Sequence, residues 1–375
     1  MLRSAVYDTI EQLAPAQVAA LEGSSLDFSF GLLRAVERSL WGRLFVKYVA
    51  VEEEGALVAL APVYVGTNLN FNALMPQLIQ RLYARMLDLL GESAGYTVAI
   101  VGSLISDRGW IPMRAGCDRR AALRLMLKEI DTVARAGGAH FCIIKDIHQE
   151  FPDAALFVAD GYTRTFSLPT VRADVAFDSF EDYLQHLSKN GRHHARKNMR
   201  KAEKRALRLR FVDDYAPLVR VAFPLFRRTY LKAPYKFEEL SPRFFEEMSR
   251  TEQPRSRMLL CEQEGRVVGV ALLLFDAQAQ QIKRIGIDYE QDDTGLVYNM
   301  LMYQSLAHAI EHKVSSFYMG QSSFTPKVRM GGRLEDQFLF LKGYSLSLRA
   351  SFQAQKFWLN RYSVERVTAS LAEGG

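Results

Sequence analysis

The sequence predicts an α/β protein in which one strand-strand-helix-strand unit occurs twice, each copy forming a mixed central sheet flanked by helices. Two observations carry this prediction. A pair of β-rich runs around a glutamate-rich turn occurs twice, with Glu52 and Glu262 standing 210 residues apart at equivalent places. Each pair is followed by the same order of strand, helix and strand. A strongly basic segment lies between the two copies.

Each copy begins with a predicted β-hairpin. Leu44–Val51 and Ala56–Val65 are rich in β-forming residues and flank the charged turn at Glu52–Gly55. Met258–Cys261 and Val267–Phe275 flank an equivalent turn in the second copy. Because chance would have to reproduce four elements in the same order, the two copies are predicted to be related by duplication.

A strand, a helix and a further strand follow each hairpin. In the first copy these are Tyr96–Ile105, Arg120–Ala136 with helical spacing of its apolar residues, and Ala139–Ile144. The second copy repeats this order in Gln281–Tyr289, Leu296–His312 and Val314–Met319.

The ends of the copies set the predicted domains. Each copy is expected to close with a short helix, a glycine and a last strand, at Tyr162–Leu168 and at Asp336–Leu341. The first copy also carries an additional amphipathic helix within Asn70–Gly91. We therefore expect an N-terminal unit over 1–170 and a C-terminal unit over 171–375, joined by Leu168–Ala176.

Composition excludes several classes of protein. The 375 residues are 49% hydrophobic, yet no apolar run approaches the ~20 residues of a membrane span. The N-terminus lacks the basic-then-apolar order of a signal peptide, so a cytoplasmic location is expected. Three widely spaced cysteines predict neither a disulfide framework nor a zinc site, and no other metal site is predicted.

The positive charge is concentrated in one segment. Residues 189–210 hold ten Lys or Arg against one acid, a balance of +9 within a net charge of +6, which leaves −3 for the rest. Arg192, Arg196 and Arg200 recur every four residues, so on a helix they form a slowly winding basic stripe. Such a stripe could hold the phosphates of CoA, a tRNA or an acyl-carrier protein, or it could be a solvated face without a ligand. Positive neighbours should also disfavour protonation of His193 and His194.

The order of elements resembles the GNAT (GCN5-related) acyltransferase fold. In that fold the loop before the central helix binds a pyrophosphate through backbone N–H groups and the positive helix end. Thr294, as the predicted N-cap, and Gly295 stand at this place in the second copy, but Asp292 and Asp293 beside them would repel a phosphate. The usual glycine-rich acetyltransferase signature is absent from both copies.

The tandem arrangement resembles the FemAB-like proteins, peptidyltransferases of peptidoglycan building that use aminoacyl-tRNA, and their acyltransferase relatives. The resemblance is carried by residues 179–201, which enter the basic stripe, and by residues 318–332, which leave the last core strand. It implies two tandem GNAT-like units and transfer of an acyl group to a small-molecule or peptide amine. Acyl-CoA is the narrowly favoured co-substrate and aminoacyl-tRNA the alternative, with no tightly bound cofactor.

Polar residues at the strand exits are the candidate catalytic groups. Gln321, Ser322 and Lys327 follow the last core strand of the second copy, where they could polarise a carbonyl or position an amine. The alternative is a hydrogen-bonded turn that satisfies its own backbone. In the first copy Asp146 or His148 could serve as a general base, although Asp146 could instead form a surface salt bridge with Lys145.

Further residues complete the predicted site. Lys145, Tyr235 and Tyr318 are expected to contact substrate, although Tyr235 lies in an aromatic cluster that could equally be core. No Ser or Cys stands in a recognisable nucleophile setting, so direct attack of the amine is expected without a covalent intermediate. The competing hypothesis is a polyanion-binding module that keeps the fold without catalysis. If there is an active site, it is expected in the second copy.

Overall fold

The computed structural model divides into two compact units. It describes residues 1–21, 26–40, 44–67, 96–233, 239–252, 255–291 and 293–372. The first unit consists chiefly of Met1–Leu168 and Asp336–Arg366, and the second chiefly of Pro169–Ala233 and Leu240–Glu335. The chain therefore leaves the first unit, builds the second and returns.

Strands and helices are numbered in chain order within the described residues. The strands are β1 (Leu2–Tyr7), β2 (Phe45–Glu53), β3 (Ala56–Thr67), β4 (Thr97–Val101), β5 (Phe141–His148), β6 (Thr163–Phe166), β7 (Thr170–Asp174), β8 (Arg208–Val212), β9 (Ser256–Gln263), β10 (Arg266–Phe275), β11 (Ala279–Ile287), β12 (Ser316–Gly320), β13 (Arg333–Glu335) and β14 (Gln337–Gly343). The helices are α1 (Pro15–Ala19), α2 (Phe30–Glu37), α3 (Arg119–Ala136), α4 (Ala154–Ala159), α5 (Phe180–His186), α6 (Lys189–Lys204), α7 (Val219–Lys232), α8 (Pro242–Thr251), α9 (Thr294–Glu311), α10 (Phe324–Arg329) and α11 (Leu346–Ala372).

The first unit is built on a seven-stranded mixed sheet in the order β1-β2-β3-β4-β5-β14-β6. The predicted hairpin is confirmed as β2 and β3, and β4 pairs with β5 in parallel. Helix α3 begins at Asp118, whose side chain accepts a hydrogen bond from the Ala121 N–H at 3.0 Å, and ends at Gly137. Its apolar face, including Leu123 and Ile130, is fully buried against the sheet. The apolar residues that show helical spacing in the sequence therefore form the stripe of α3 that faces the core.

The second unit has a seven-stranded sheet in the order β13-β7-β12-β11-β10-β9-β8. The predicted second hairpin is confirmed as β9 and β10. The segment predicted as a simple connection contains β7, which pairs antiparallel with both β12 and β13. Helix α9 packs on this sheet and buries apolar residues such as Leu301 and Leu306.

The last predicted strand of the second copy belongs to the first sheet. Strand β14 lies between β5 and β6 and pairs antiparallel with both. The predicted C-terminal unit over 171–375 is therefore corrected, because Asp336–Arg366 groups with the first unit. Period-2 patterning identifies a strand but does not say which sheet receives it.

Buried charge fixes β14 in its sheet. The Lys342 ammonium, on a residue that is only 7% exposed, donates to Asp131 at 2.5 Å and to Asp160 at 2.7 Å. The Tyr344 hydroxyl donates to the other oxygen of Asp131 at 3.1 Å. Two carboxylates thus compensate one buried cation, which is the condition for burying a lysine.

The C-terminal helix covers the open edge of the first sheet. The Asn360 side-chain oxygen accepts from the Phe166 N–H at 2.8 Å and from the Thr165 hydroxyl at 2.9 Å, and Gln353 donates to Thr163 at 2.9 Å. Seven helical residues rise ~10 Å, about the length of the strand between these contacts. Helix α11 therefore runs along β6 in matching register.

Two predictions fall on segments outside the described residues: the additional helix within Asn70–Gly91 and the proposed pocket residue Tyr235. No helix of the described chain is long and apolar enough to span a bilayer.

Candidate active site

In the second unit, strands β11 and β12 diverge after a short parallel contact. They pair only between Ala279–Gln281 and Ser316–Tyr318, although β11 continues to Ile287. At Lys283 strand β11 carries an extra residue relative to β10, a β-bulge that increases local twist. Beyond the contact β11 continues to pair with β10, and no described strand pairs with its other edge. The Ile287 N–H donates to the Thr229 hydroxyl at 3.1 Å, and the Lys283 carbonyl accepts from the Arg284 side chain at 2.8 Å. The diverging ends of β11 and β12 thus form a wedge in the second unit.

In the first unit, the corresponding wedge is closed by the chain itself. Gly109 forms a parallel bridge with Ile147, donates its N–H to the Asp146 carbonyl at 2.7 Å and accepts from the His148 N–H at 3.2 Å. A Cβ at position 109 would lie 2.3 Å from the Lys145 carbonyl oxygen, so only glycine permits this approach. The first unit therefore bridges its wedge with backbone hydrogen bonds, whereas no described strand bridges β11 and β12 beyond their contact in the second unit.

The exit from β12 is a tight turn held by a buried lysine. Gly320, Ser322 and Ser323 all have left-handed backbone, with φ of 76°, 84° and 50°. The Lys327 ammonium, on a residue 4% exposed, donates to the Gly320 carbonyl at 3.0 Å. Left-handed backbone at two serines is costly and persists only where the surroundings fix it. Lys327 is thus placed to fix this turn.

The predicted residues of the second copy meet at this exit. Tyr318 and Gln321 are half-buried and Ser322 is exposed, while Lys327 points its ammonium back to the strand end. Lys327 was predicted as a catalytic group; its burial and its bond to Gly320 instead make it a positioning residue. Tyr318, Gln321 and Ser322 remain able to meet a substrate.

The basic segment is confirmed as a helix, α6. Small or polar residues form its buried face, at Gly191, Ala195, Asn198 and Ala202. Of the three predicted phosphate ligands, Arg192 donates to the Gln185 carbonyl at 2.9 Å and Arg196 pairs with Glu181. Arg200 is exposed and makes no ion pair within the described part of the chain. Part of the stripe is therefore neutralised by acids outside the helix, which its own sequence did not reveal.

Helix α6 packs closely on the segment that follows the β12 exit. A Cβ at Gly191 would lie 2.7 Å from the Arg329 carbonyl oxygen. Burial lowers the pKa of His194, and positive charge on Arg329 and Lys197 lowers it further, which confirms the expectation for His194. The Asn198 side-chain amide lies 3.1 Å from the Nδ1 of this imidazole. The basic helix and the exit turn thus belong to one region of the second unit.

The N-terminus of α9 is capped by an aspartate. Asp293, not Thr294, is the N-cap, and its carboxylate accepts from the Leu296 N–H at 3.1 Å. The ammonium of Lys201 forms an ion pair with the same carboxylate and lowers the pKa of Asp293. Thr294 and Gly295 are the first helical residues, and the carboxylate lies 3.9 Å from a Cβ placed at Gly295. The prediction of Thr294 as N-cap is wrong, because Asp caps a helix at least as well as Thr.

The structure of this helix end also argues against the cofactor-binding role predicted for Thr294 and Gly295. In the GNAT fold a CoA pyrophosphate would need the N–H groups at this helix end, together with its positive potential. An ionised carboxylate already accepts from one of these groups, so a second anion would meet repulsion. The residues at this end do not fit a CoA bound in the usual GNAT manner.

Asp146 in the first unit is buried, and each of its two carboxylate oxygens already has a partner. It adopts a left-handed conformation with φ of 53°, and its carboxylate is paired with the Lys145 ammonium and accepts from the Ser167 hydroxyl. Lys145 also donates to the Ser106 carbonyl at 2.6 Å. A general base needs a free lone pair and access to substrate, so the geometry favours the salt-bridge interpretation of Asp146 and Lys145.

Sequence reasoning missed one residue that shapes the loop between β11 and α9. Asp288 is 1% exposed, and its carboxylate accepts from Arg228 at 2.8 Å and from Arg266 at 2.9 Å. Its backbone N–H also bonds to the Val268 carbonyl at 2.9 Å. An aspartate directly after an apolar strand was the available indication, but its partners lie 22 and 60 positions away.

Both the sequence and the fold are similar to those of known proteins. A model of the FemAB-like family, described as peptidoglycan biosynthesis/recognition, matches residues 108–327, more than half of the chain. The crystal structure of FemX superposes with a TM-score of 0.60 at 14% identity, covering 92% of this chain and 98% of FemX. A tandem GNAT protein from the clavulanic acid biosynthesis pathway gives a TM-score of 0.51 at 12% identity, covering 92% and 99%. The predicted fold of two tandem GNAT-like units is thereby confirmed.

A curated relative is similar in sequence over part of its length. A protein of Mycobacterium tuberculosis named as an 8-amino-7-oxononanoate synthase 2 is 25% identical over 239 residues, 62% of this chain. The match spans only 31% of that relative.

Proposed function

The chain belongs to the FemAB-like family, and we propose that it is an acyltransferase that forms an amide between an acyl or aminoacyl donor and an amine acceptor in its second unit. The observation that carries this proposal is the divergence of β11 and β12 beyond their parallel contact, whereas the first unit bridges the corresponding gap with Gly109. The fixed turn at the end of β12 places polar groups beside the wedge.

Each group at the exit has a role that follows from its position. An extended donor would lie in the wedge between β11 and β12, which would hold the acyl carbonyl near the end of β12. Gln321 and Tyr318 would orient the carbonyl and the incoming amine. Lys327 would keep the Gly320 turn rigid, because a loose turn would misplace both. The amine attacks the acyl carbonyl directly, and the C–N bond forms as the ester C–O or thioester C–S bond breaks. The amine loses a proton, and the tRNA hydroxyl or the CoA thiol leaves with one. No covalent enzyme intermediate is required.

The donor is better explained by a large polyanion than by free acyl-CoA. The sequence narrowly favoured acyl-CoA, but Asp293 occupies the helix end where its pyrophosphate would bind. Lys197, Arg200 and Lys204 are exposed on α6 and form no ion pair within the described residues. We therefore favour an aminoacyl-tRNA as donor, with its backbone along this helix, over acyl-CoA and an acyl-carrier protein.

The acceptor proposal rests on the family description. Peptidoglycan biosynthesis suggests an amine of a cell-wall precursor peptide as acceptor. The curated relative's name, a synthase, applies to a protein of which this chain matches under a third, so its activity is not carried over.

A transfer assay tests the proposal. Purified protein is incubated with labelled aminoacyl-tRNA or acyl-CoA and with precursor peptides or small amines, and amide products are measured by mass spectrometry. We expect product with aminoacyl-tRNA, and at least tenfold less with Lys327→Met. Lys128→Met is the matched control, because Lys128 is an exposed residue of α3 in the first unit. An absence of amide product with every donor and acceptor pair would refute the proposed acyltransferase activity.

The second candidate is a polyanion-binding module without catalysis, favoured by the exposed cations of α6 that form no ion pair within the described residues. RNA binding that weakens steeply with salt, and that Arg196→Ala with Arg200→Ala reduces, is expected for both functions. RNA binding without any amide product would favour the module. Absence of RNA binding at low salt would refute both the module and the tRNA donor.

A further inference from the structure

We infer that the ion pair between Lys201 of α6 and Asp293 at the start of α9 is a specificity device that keeps CoA-type donors from the second unit. This inference rests on the proposed acyl transfer only for the identity of the rejected molecule. The device itself is a carboxylate and an ammonium held at a helix end.

The carboxylate takes the place that a phosphate would need. Helix α9 is 18 residues long, so its N-terminus carries the full positive potential of an α-helix. Asp293 accepts the Leu296 N–H at 3.1 Å, and its backbone carbonyl accepts from the same N–H at 3.2 Å. The Leu296 N–H, one of the groups at this helix end that would face a phosphate, is therefore already bonded within the chain.

The ammonium is neutralised at the same time. Lys201 reaches Asp293 from the last turn of α6, and Arg205 adds positive potential at the same carboxylate. Without the carboxylate these cations and the helix end would form an anion-binding site of ordinary type. The charge on Asp293, next to that of Asp292 in the sequence, thus weakens the attraction of this helix end for a pyrophosphate.

A substitution can separate the charge from the cap. Asparagine is as good an N-cap as aspartate, so Asp293→Asn keeps the start of α9 while it removes the negative charge and releases Lys201. We expect this variant to bind CoA at least tenfold more tightly than the wild type. Replacing Lys201 as well, in Asp293→Asn with Lys201→Gln, should remove most of the gain.

The experiment is isothermal titration of the full chain with CoA at low salt, followed by inorganic pyrophosphate and adenosine 3′,5′-bisphosphate as partial probes. Glu311→Gln is the matched control, because Glu311 is an exposed acid at the other end of α9 and its loss changes the net charge equally. Its affinity for CoA should stay within twofold of the wild type. Pyrophosphate should reproduce the gain of Asp293→Asn if the phosphates bind at the helix end.

The outcomes decide the inference in either direction. A gain with Asp293→Asn that Lys201→Gln reverses supports it. Tight binding of CoA to the wild type, or equally weak binding by the wild type and Asp293→Asn, overturns it. If Asp293→Asn does not fold, as judged by circular dichroism, Asp293→Ser provides the same test with another good cap. These experiments measure binding and not catalysis. An absence of transferase activity would therefore refute the proposed function, and the CoA affinities would still decide the present inference.

Discussion

Protonation of His308 should destabilise the second unit as the pH falls. This residue is 2% exposed, and its Nε2 accepts from Arg257 at 3.0 Å while its Nδ1 donates to the Gln280 side-chain oxygen at 2.6 Å. Burial lowers its pKa from 6.5 to about 3, and the charges of His312 and Arg257 act in the same direction. A proton on Nε2 would face the Arg257 guanidinium, so the folded protein keeps the ring neutral.

The size of the effect follows from linkage. The folded pKa lies below the unfolded one, so the unfolded chain binds the proton more tightly and stability is lost between about pH 6.5 and pH 3. Between pH 8 and pH 5 this histidine alone should cost about 2 kcal/mol of unfolding free energy, since each pKa unit is worth ~1.4 kcal/mol. Above pH 8 both states are neutral and the contribution vanishes.

Urea unfolding followed by circular dichroism at pH 8 and pH 5 measures this loss. His308→Gln cannot titrate, so its stability should fall by about 2 kcal/mol less than that of the wild type over the same interval. His193→Gln is the control, because His193 is exposed on α6, and it should keep the wild-type pH difference. Equal losses for His308→Gln and the wild type would show that His308 is not the buried neutral base described here.

Four further substitutions test the packing within the units, three by denaturant unfolding and one by sedimentation. Gly109→Ala should cost about 3 kcal/mol or more, because its Cβ would meet backbone oxygen at 2.3 Å, whereas Gly295→Ala, with nothing nearer than 3.9 Å, should be neutral or stabilising by up to ~1 kcal/mol. Similar values for the two would contradict a closed wedge in the first unit. Lys342→Ala should lower the free energy of unfolding by roughly 3–5 kcal/mol, since it leaves two carboxylates beside β14 without their cation. A loss under about 1 kcal/mol would refute that role. Asn360→Ala should expose the β6 edge and raise concentration-dependent self-association in analytical ultracentrifugation, and an unchanged sedimentation profile would argue against edge protection.

The sequence predicted local elements well and long-range partners poorly. Both hairpins and α3 followed from periodicity and turn residues, because these depend on neighbours along the chain. The position of β14 in the first sheet was not predictable, since a strand pattern carries no information about which sheet the strand joins. For the same reason Thr294 was mistaken for a cap that Asp293 provides, and Arg196 was predicted as a phosphate ligand although it pairs with Glu181.

Strand β14 also makes the second unit an insertion within the first. The pairing of β5 with β14 joins residues 141–148 to residues 337–343, and the whole second sheet lies between them in the chain. On a ribosome, the first sheet would therefore hold an open slot between β5 and β6 until synthesis has passed Gly343. Contacts of such sequence separation form slowly, because loop closure must precede them. A fragment ending at Leu168 would lack the buried Phe340 and should aggregate, whereas grafting residues 336–343 onto it by a short linker should restore a soluble sheet.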